Sequence, residues 1–526
     1  LVGGSDTGIS PDHHVIVSLN GQQIGEGRWG GLTSYTLTAT FSQSLINEGE
    51  NTIEVAGVLD PGIPWSMFLI DSFDITYERL YEAVGNSLFF AGDGNQTVTV
   101  GGFTTTTPDV LLFNISNPLT PKVNASAVID GSSGNYEISF NPVSPDAQYL
   151  AVAKDAVTKV SNAQGVNSTG LQFKGNLADY LIIVPEALVS AVQPLAAYRK
   201  SQGLRTMVVK VDDIMNDFNF GISSPEAIRQ FLSYAYYNWQ RAPRYVLLAG
   251  AGTWDYRDNL GQGGNLIPPA LVPTPNGLTT SDNHFADVNG DHMPEMAIGR
   301  LPVLVPDDLT NIIGKIKTFE STHGSQAVLL ADNPDDGGDF TADSEEIAAL
   351  FPPAYVQEKV YLADLSFAGA KTMLSAYLNG GAKFFNYIGH GGLDVLSKSG
   401  IFSNDSEDYP DALQVSSLIN GSGLPVMIAM TCEVGEFAVP GYTSLSEAMV
   451  LKGDGGAAAV WSATGLSDDT QAMVLNTEFY KAVFSSGKKV LGDAILQAFT
   501  RYGAVGSMPF MMDIYTILGD PALRIK

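Results

Sequence analysis

Two strand ends in this 526-residue chain carry residues able to do nucleophilic chemistry. Val426 to Met430 is a short apolar run that ends at Thr431 and Cys432, the only cysteine in the sequence. Phe384 to Ile388 has the same character and ends in Gly389, His390 and Gly391. The thiolate is the nucleophilic form of cysteine, and a neighbouring imidazole can take the thiol proton and later give one to a leaving amine. The chemistry this pair could do is acyl transfer through a thioester. Its tetrahedral intermediate needs hydrogen-bond donors at the same edge, and the backbone N–H groups of Cys432 and Gly391 are the natural candidates. A lone cysteine after an apolar strand also reads as a small buried hydrophobe, so the pair carries more than either residue alone.

The elements that must position this pair follow a regular grammar. Strand-like runs recur at Tyr180–Val184, Arg205–Val209, Tyr245–Ala249, Ala327–Ala331, Lys383–Ile388, Pro425–Met430 and Gly456–Trp461. Helical patterns alternate with them, such as Glu186–Lys200 before Gly203, and a helix opened by Ser224 and Pro225. Short apolar strands alternating with helices specify an α/β fold with a doubly wound, mostly parallel sheet, whose sites lie beyond the carboxyl ends of the strands. His390 precedes Cys432 by 42 residues, room for one crossover and the next strand. The two can therefore sit side by side.

Upstream, the pattern is all-β. Val15–Leu19, Thr36–Thr40, Thr52–Ala56 and Phe73–Tyr77 alternate apolar and polar residues, with turn signals at Asn20-Gly21 and Glu48-Gly49. Residues 1–80 are read as a small sandwich or jelly roll. Residues 81–168 are read as a second small β domain, with strands near Gln96–Val100, Val110–Asn114 and Tyr136–Phe140. Gly165–Gly170 reads as a linker, and 176–526 as the α/β domain, divided into 176–320 and 321–526. Three domains suit a chain of this length.

Acidic residues outnumber basic ones 56 to 28, a net charge of −28. That excludes the usual electrostatic footprint of nucleic-acid binding and disfavours an anionic membrane surface. It suits cationic substrates, bound Ca²⁺ or simple solubility. One cysteine permits no internal disulfide. No run of 18 apolar residues is present, so no membrane-spanning helix is expected. Asp287, Asn289, Asp291 and Glu295 present oxygens with the spacing of part of a Ca²⁺ loop, although the twelve-residue pattern is incomplete. Turns held by Asx hydrogen bonds explain the same residues. His13, His14, His284 and His292 read as structural or surface residues. Gly250-Ala251-Gly252 follows a strand without completing a dinucleotide fingerprint, and no organic cofactor is expected.

Residues 176–526 resemble the gingipain-like cysteine peptidases of family C25, which share a caspase-like fold. The resemblance rests on Tyr387–Gly391, Thr431–Phe437, Ser444–Met449, Ser281–Asp291 running into Ala297–Pro302, and the ending Leu518–Leu523. It implies Cys432 and His390 as a catalytic dyad in a secreted or cell-surface, bacterial or archaeal endopeptidase acting on proteins or peptides. It implies a third acid that orients the imidazole. Asp332 at an earlier strand end fits that place, with Asp335 and Asp336 as competitors. It further implies structural calcium and, in members with acidic pockets, cleavage after Arg or Lys. Asp343, Asp468 and Asp469 are the candidate pocket acids, with Trp461 on the strand before the latter two. One departure is Val434, where the family often has Asn. Rival readings are a transpeptidase using the same acyl-enzyme and a catalytically silent adhesion protein.

Overall fold

The computed structural model describes residues 1–5, 7–31, 33–160, 165–166 and 168–525. The chain divides into two compact units, Leu1–Gly165 and Val166–Lys526. The expected linker contains Asn167, which lies outside the described residues.

The second unit is built on a ten-stranded sheet. Numbered within that sheet, its strands are β1 Tyr180–Val184, β2 Thr206–Lys210, β3 Tyr245–Ala249, β4 Ala297–Leu301 and β5 Gln326–Ala331. They continue with β6 Val356–Tyr361, β7 Phe384–Ile388, β8 Val426–Met430, β9 Ala459–Ala463 and β10 Tyr515–Leu518. The spatial order is β2-β1-β3-β4-β10-β9-β8-β7-β5-β6. Every neighbouring pair is parallel except β9 with β10. The strands β1–β4 therefore run opposite to β5–β9, and β10 joins the halves. The doubly wound, mostly parallel reading holds, with this one reversal inside it.

The strands form because their runs are apolar on both faces. β1, β3, β4, β7, β8, β9 and β10 are buried along their whole length, as a sheet covered by helices on both sides requires. The edge strands β2 and β6 are only partly buried. Ser224 caps the helix Pro225–Asn238 as expected, accepting from the Glu226 N–H. Ser444 and Glu447 form a reciprocal capping box on the helix Leu445–Leu451.

The first unit holds small sheets of mostly antiparallel strands. Gln22–Trp29, His13–Leu19 and Ile53–Gly57 form one, in that order. Ser87–Ala91, Gln148–Ala153, Val110–Asn114 and Lys122–Val123 form another. Leu88, Val100, Phe103 and Tyr149 belong to this segment's own core. Both expected β segments fall within one compact unit. The expected strands at Thr36–Thr40 and Phe73–Tyr77 do not form. Tyr35 and Leu37 instead lie against Gly25 and Gly27, where side-chain packing replaces ladder pairing. Phe73 and Tyr77 are exposed.

Two fully buried charge clusters tie the α/β unit together. Arg199 bonds Glu320 at 2.6 Å and Asp520 at 2.8 Å. Arg300 on β4 forms a two-pronged pair with Asp282, both bonds 2.7 Å, and donates to the Gly250 and Ile267 carbonyls. Its guanidinium also lies 4.6 Å from the Phe437 ring, in the segment that follows Cys432. Arg300→Met leaves the Asp282 carboxylate buried and unpaired. Denaturant unfolding is expected to show a loss of about 3–5 kcal/mol, and a loss under about 1 kcal/mol contradicts the pairing's importance.

Candidate active site

β7 and β8 are neighbours in parallel register, with Ile388 opposite Met430. His390 and Cys432 each stand two residues past that pair, so the loops leaving adjacent strands carry them out of the same edge. Gly389 makes the turn before the imidazole. Its φ is +148°, and a side chain there would come within 2.4 Å of the Asp332 Cβ.

The imidazole is held on two sides. Nε2 lies 3.1 and 3.0 Å from the two Asp335 carboxylate oxygens. Phe340 meets the ring edge-on, with centroids 5.2 Å apart. Asp335 also pairs with Lys398 and accepts from the Gly337 N–H at 2.8 Å. The Lys398 ammonium first, then the Gly337 N–H and the imidazole, hold this carboxyl well below the usual carboxylate range. With Nε2–H directed at Asp335, Nδ1 is left as the acceptor, and it has no hydrogen-bond partner among the described residues.

Asp332, expected to orient the ring, does something else. It is buried and accepts from the backbone N–H groups of Asn333 at 2.8 Å, Lys398 at 3.1 Å and His390 at 3.4 Å. It directly follows β5, so its short side chain reaches the loop backbone, and the ring contact falls to Asp335. The competing aspartate is the one that touches the imidazole.

The thiol is partly buried. Sγ receives the Ser467 N–H at 3.4 Å and lies 3.7 Å from the Ser467 carbonyl oxygen. Burial pushes the thiol pKa up and the Glu433 charge adds to that, while the Ser467 N–H opposes both. Glu433 has φ +58°, a left-handed conformation that costs a non-glycine residue on the order of 1–3 kcal/mol. The Val434 N–H closes this turn onto the Cys432 carbonyl at 2.7 Å. The Cys432 N–H has no acceptor among the described residues. Ser397 N–H donates to the His390 carbonyl at 2.7 Å. By the alternation of an antiparallel pair, Gly391 opposite Leu396 is then a non-hydrogen-bonded position, with its N–H turned away from the hairpin. Gly391 lies so close to the Cys loop that a side chain on it would meet the Cys432 carbonyl oxygen at 3.0 Å.

The expected pocket residues divide. Asp469 lies against Gly338, two residues before Phe340. Burial first, then the charges of Asp343 and Asp468, push its carboxyl up to about 6. Asp343 is raised as well, by burial and then by Glu346 and Asp339. Asp469 thus lies within reach of the charges of both Asp343 and His390. Asp468 instead caps the helix Asp469–Tyr480, accepting from the Gln471 N–H at 2.9 Å. Trp461 is fully buried within β9, packed on Phe479, Phe499 and Tyr515.

The Asp287–Glu295 loop spends its oxygens on its own backbone. Asp287 accepts from the N–H groups of Gly290, Asp291 and His292, Asp291 from Met293, and Glu295 from Val288. Among the described residues no group of three or more His, Cys, Asp or Glu side chains is placed to hold a metal. The loop's side-chain oxygens are engaged in closing its own turns. His292 bonds Asp513, and His13 and His14 are buried in a strand.

The model of peptidase family C25 matches residues 174–526. The chain belongs to peptidase family C25. Lys-gingipain of Porphyromonas gingivalis (strain ATCC 33277) is 28% identical over 169 residues, covering 30% of this chain and 9% of that protein. Lys-gingipain W83 of Porphyromonas gingivalis is 30% identical over 122 residues, 21% of this chain and 7% of that one. The chain thus spans under a tenth of these relatives' length. The crystal structure of the Arg-specific cysteine proteinase gingipain R superimposes with a TM-score of 0.55 at 21% identity, covering 67% of this chain and 79% of that one. That likeness concerns the fold. The gingipain-like resemblance read from the motifs is borne out at the level of the family.

Within this C25 chain, Ser467, Lys398 and Phe340 carried no sequence signal. Each reaches the site from a loop or helix start whose path is set by tertiary packing. The thiol's surroundings favour a resting neutral thiol. Because the thiol pKa is raised, iodoacetamide alkylation of Cys432 is expected to keep accelerating as pH rises through the ordinary thiol range. A rate already on a plateau below about pH 7 would reveal a preformed ion pair and contradict this.

Proposed function

We propose that this C25 chain is an exported cysteine endopeptidase with a caspase-like catalytic fold, preceded by small β domains. Cys432 is the nucleophile, His390 its acid/base partner and Asp335 the group that orients the imidazole. The observation that carries the reading is the matched register of β7 and β8, which puts His390 and Cys432 at equal distances past Ile388 and Met430.

In the first step the Cys432 thiol proton passes to His390 Nδ1 as Sγ attacks the peptide carbonyl carbon. The developing oxyanion is met by the backbone N–H groups of Cys432 and Gly391, and each such donor is worth about 3–4 kcal/mol of barrier. Asp335 favours the imidazolium that forms, as a carboxylate beside a charged ring does. The C–N bond breaks, the imidazolium protonates the departing amine, and a thioester remains. Water, deprotonated by the same imidazole, then hydrolyses it.

Substrates with a basic P1 residue fit the paired acids Asp343 and Asp469 beside His390. Asp469, whose charge is disfavoured by burial and by Asp343, gains from a bound cation. Export is inferred from the family likeness. No helix among the described residues is long and apolar enough to cross a membrane.

Cleavage of a diverse peptide library, read by mass spectrometry, tests the reading. The wild type is expected to cut after Arg or Lys, and Cys432→Ala to cut nothing. Cleavage by both proteins would remove Cys432 from the mechanism, and a purely apolar P1 would remove the paired acids from the pocket.

A further inference from the structure

The Cys loop runs beside the segment that leaves β9. The Gly435 N–H bonds the Ala463 carbonyl at 2.8 Å, the Glu433 N–H bonds the Gly465 carbonyl at 3.1 Å, and Ser467 meets the thiol. Asp468 and Asp469 follow at one end of this segment. At its other end opens a cleft of ≈ 410 Å³ whose walls include Trp254, Leu278, Thr280, Glu433, Glu436 and Leu466. Nothing in the proposed chemistry uses it, yet it begins one residue from the nucleophile.

The two carboxylates in this cleft differ. Glu436 is satisfied: it accepts from the Thr280 hydroxyl at 2.8 Å and the Ala438 N–H at 3.0 Å. The Glu433 carboxylate belongs to a half-buried residue and has no hydrogen-bond or ion-pair partner among the described residues. A partly desolvated carboxylate without a partner is costly, and a cation is the ligand that offsets the cost. Its strained, left-handed backbone presents it beside the nucleophile all the same, and such strain concentrates at ligand sites. The third element is aromatic. Trp254 is 43% exposed, and an indole face attracts a guanidinium or ammonium. Leu278 and Leu466, both exposed, offer apolar surface for the methylene stem of Arg or Lys.

We propose that this cleft is a second specificity subsite, taking the cationic side chain of an Arg or Lys residue that flanks the scissile residue of a bound peptide. The subsite rests on the peptidase reading and extends it. The enzyme would then select substrates with two basic residues near the cut, one at each end of the segment leaving β9. Occupancy also removes the negative charge that Glu433 holds against the thiolate, so binding and thiol activation act in the same direction.

The test separates binding from turnover. Labelled peptides of fixed P1 are titrated against Cys432→Ala protein. At each flanking position in turn they carry either arginine or its neutral isostere citrulline. One flanking position is expected to favour arginine by about fivefold or more. That preference is expected to vanish in Cys432→Ala/Glu433→Gln and to weaken in Cys432→Ala/Trp254→Leu, while preference at P1 persists. Equal binding of arginine and citrulline at every flanking position overturns the subsite, as does a preference that survives Glu433→Gln. The near-isosteric Glu433→Gln change and the change at the half-exposed Trp254 guard against misfolding, since both proteins must retain P1 binding. Absence of wild-type turnover alongside an intact flanking preference would sink the peptidase reading and leave the subsite standing.

Discussion

The active site depends on one constraint, the parallel register of β7 against β8. Both strands are buried on both faces, so neither can slide without tearing a full set of ladder bonds inside the core. A slip of one residue would move His390 or Cys432 by about 3.3 Å and turn it to the other face. The pairing of Ile388 with Met430 is thus a statement about chemistry as well as folding. Asp332 at the end of β5 adds to it, because its N–H bonds the Ile388 carbonyl and its carboxylate gathers the loop that carries His390.

Around that frame the electrostatics divide by burial. Asp335 is open to solvent and flanked by Lys398, so it stays ionised and serves as a fixed anion against the imidazole. The thiol, Asp469 and Glu433 are withdrawn from water, and each is pushed toward its neutral form. The resting site therefore holds several groups whose charged forms are disfavoured until something cationic or electrophilic arrives. The cationic side chain proposed for the substrate would offset that disfavoured charge.

Much of this was legible in the sequence because the signals were local. The apolar runs of β1, β3, β7, β8 and β9 announced strands, and a Gly-His-Gly and a Thr-Cys at the ends of two of them marked the residues that leave neighbouring strands at one edge. The failures share a cause, which is that they turn on tertiary direction. Asp332 and Asp335 are three residues apart, and only the path of the loop decides which reaches the ring. Trp461 looked available because it precedes an acidic loop, but its alternation on a strand buried on both faces gave it no exposed side. Asp468 was drawn into capping a helix, a role its position before an apolar helical run permitted. Asp287 and Glu295 had metal-like spacing, yet the same oxygens close turns on their own backbone. In the first unit, Thr36–Thr40 had strand periodicity and found glycines to pack on instead of a strand to pair with.

The most direct check on the dyad is covalent capture at the nucleophile. A peptidyl acyloxymethyl ketone with a basic P1 residue is reacted with the protein, and the adduct is located by peptide mapping. One adduct on Cys432, with a rate that falls by about 10²–10⁴ in His390→Ala, is the expected result. No adduct, or labelling whose rate ignores the loss of His390, would contradict the placement of these two residues as a working pair.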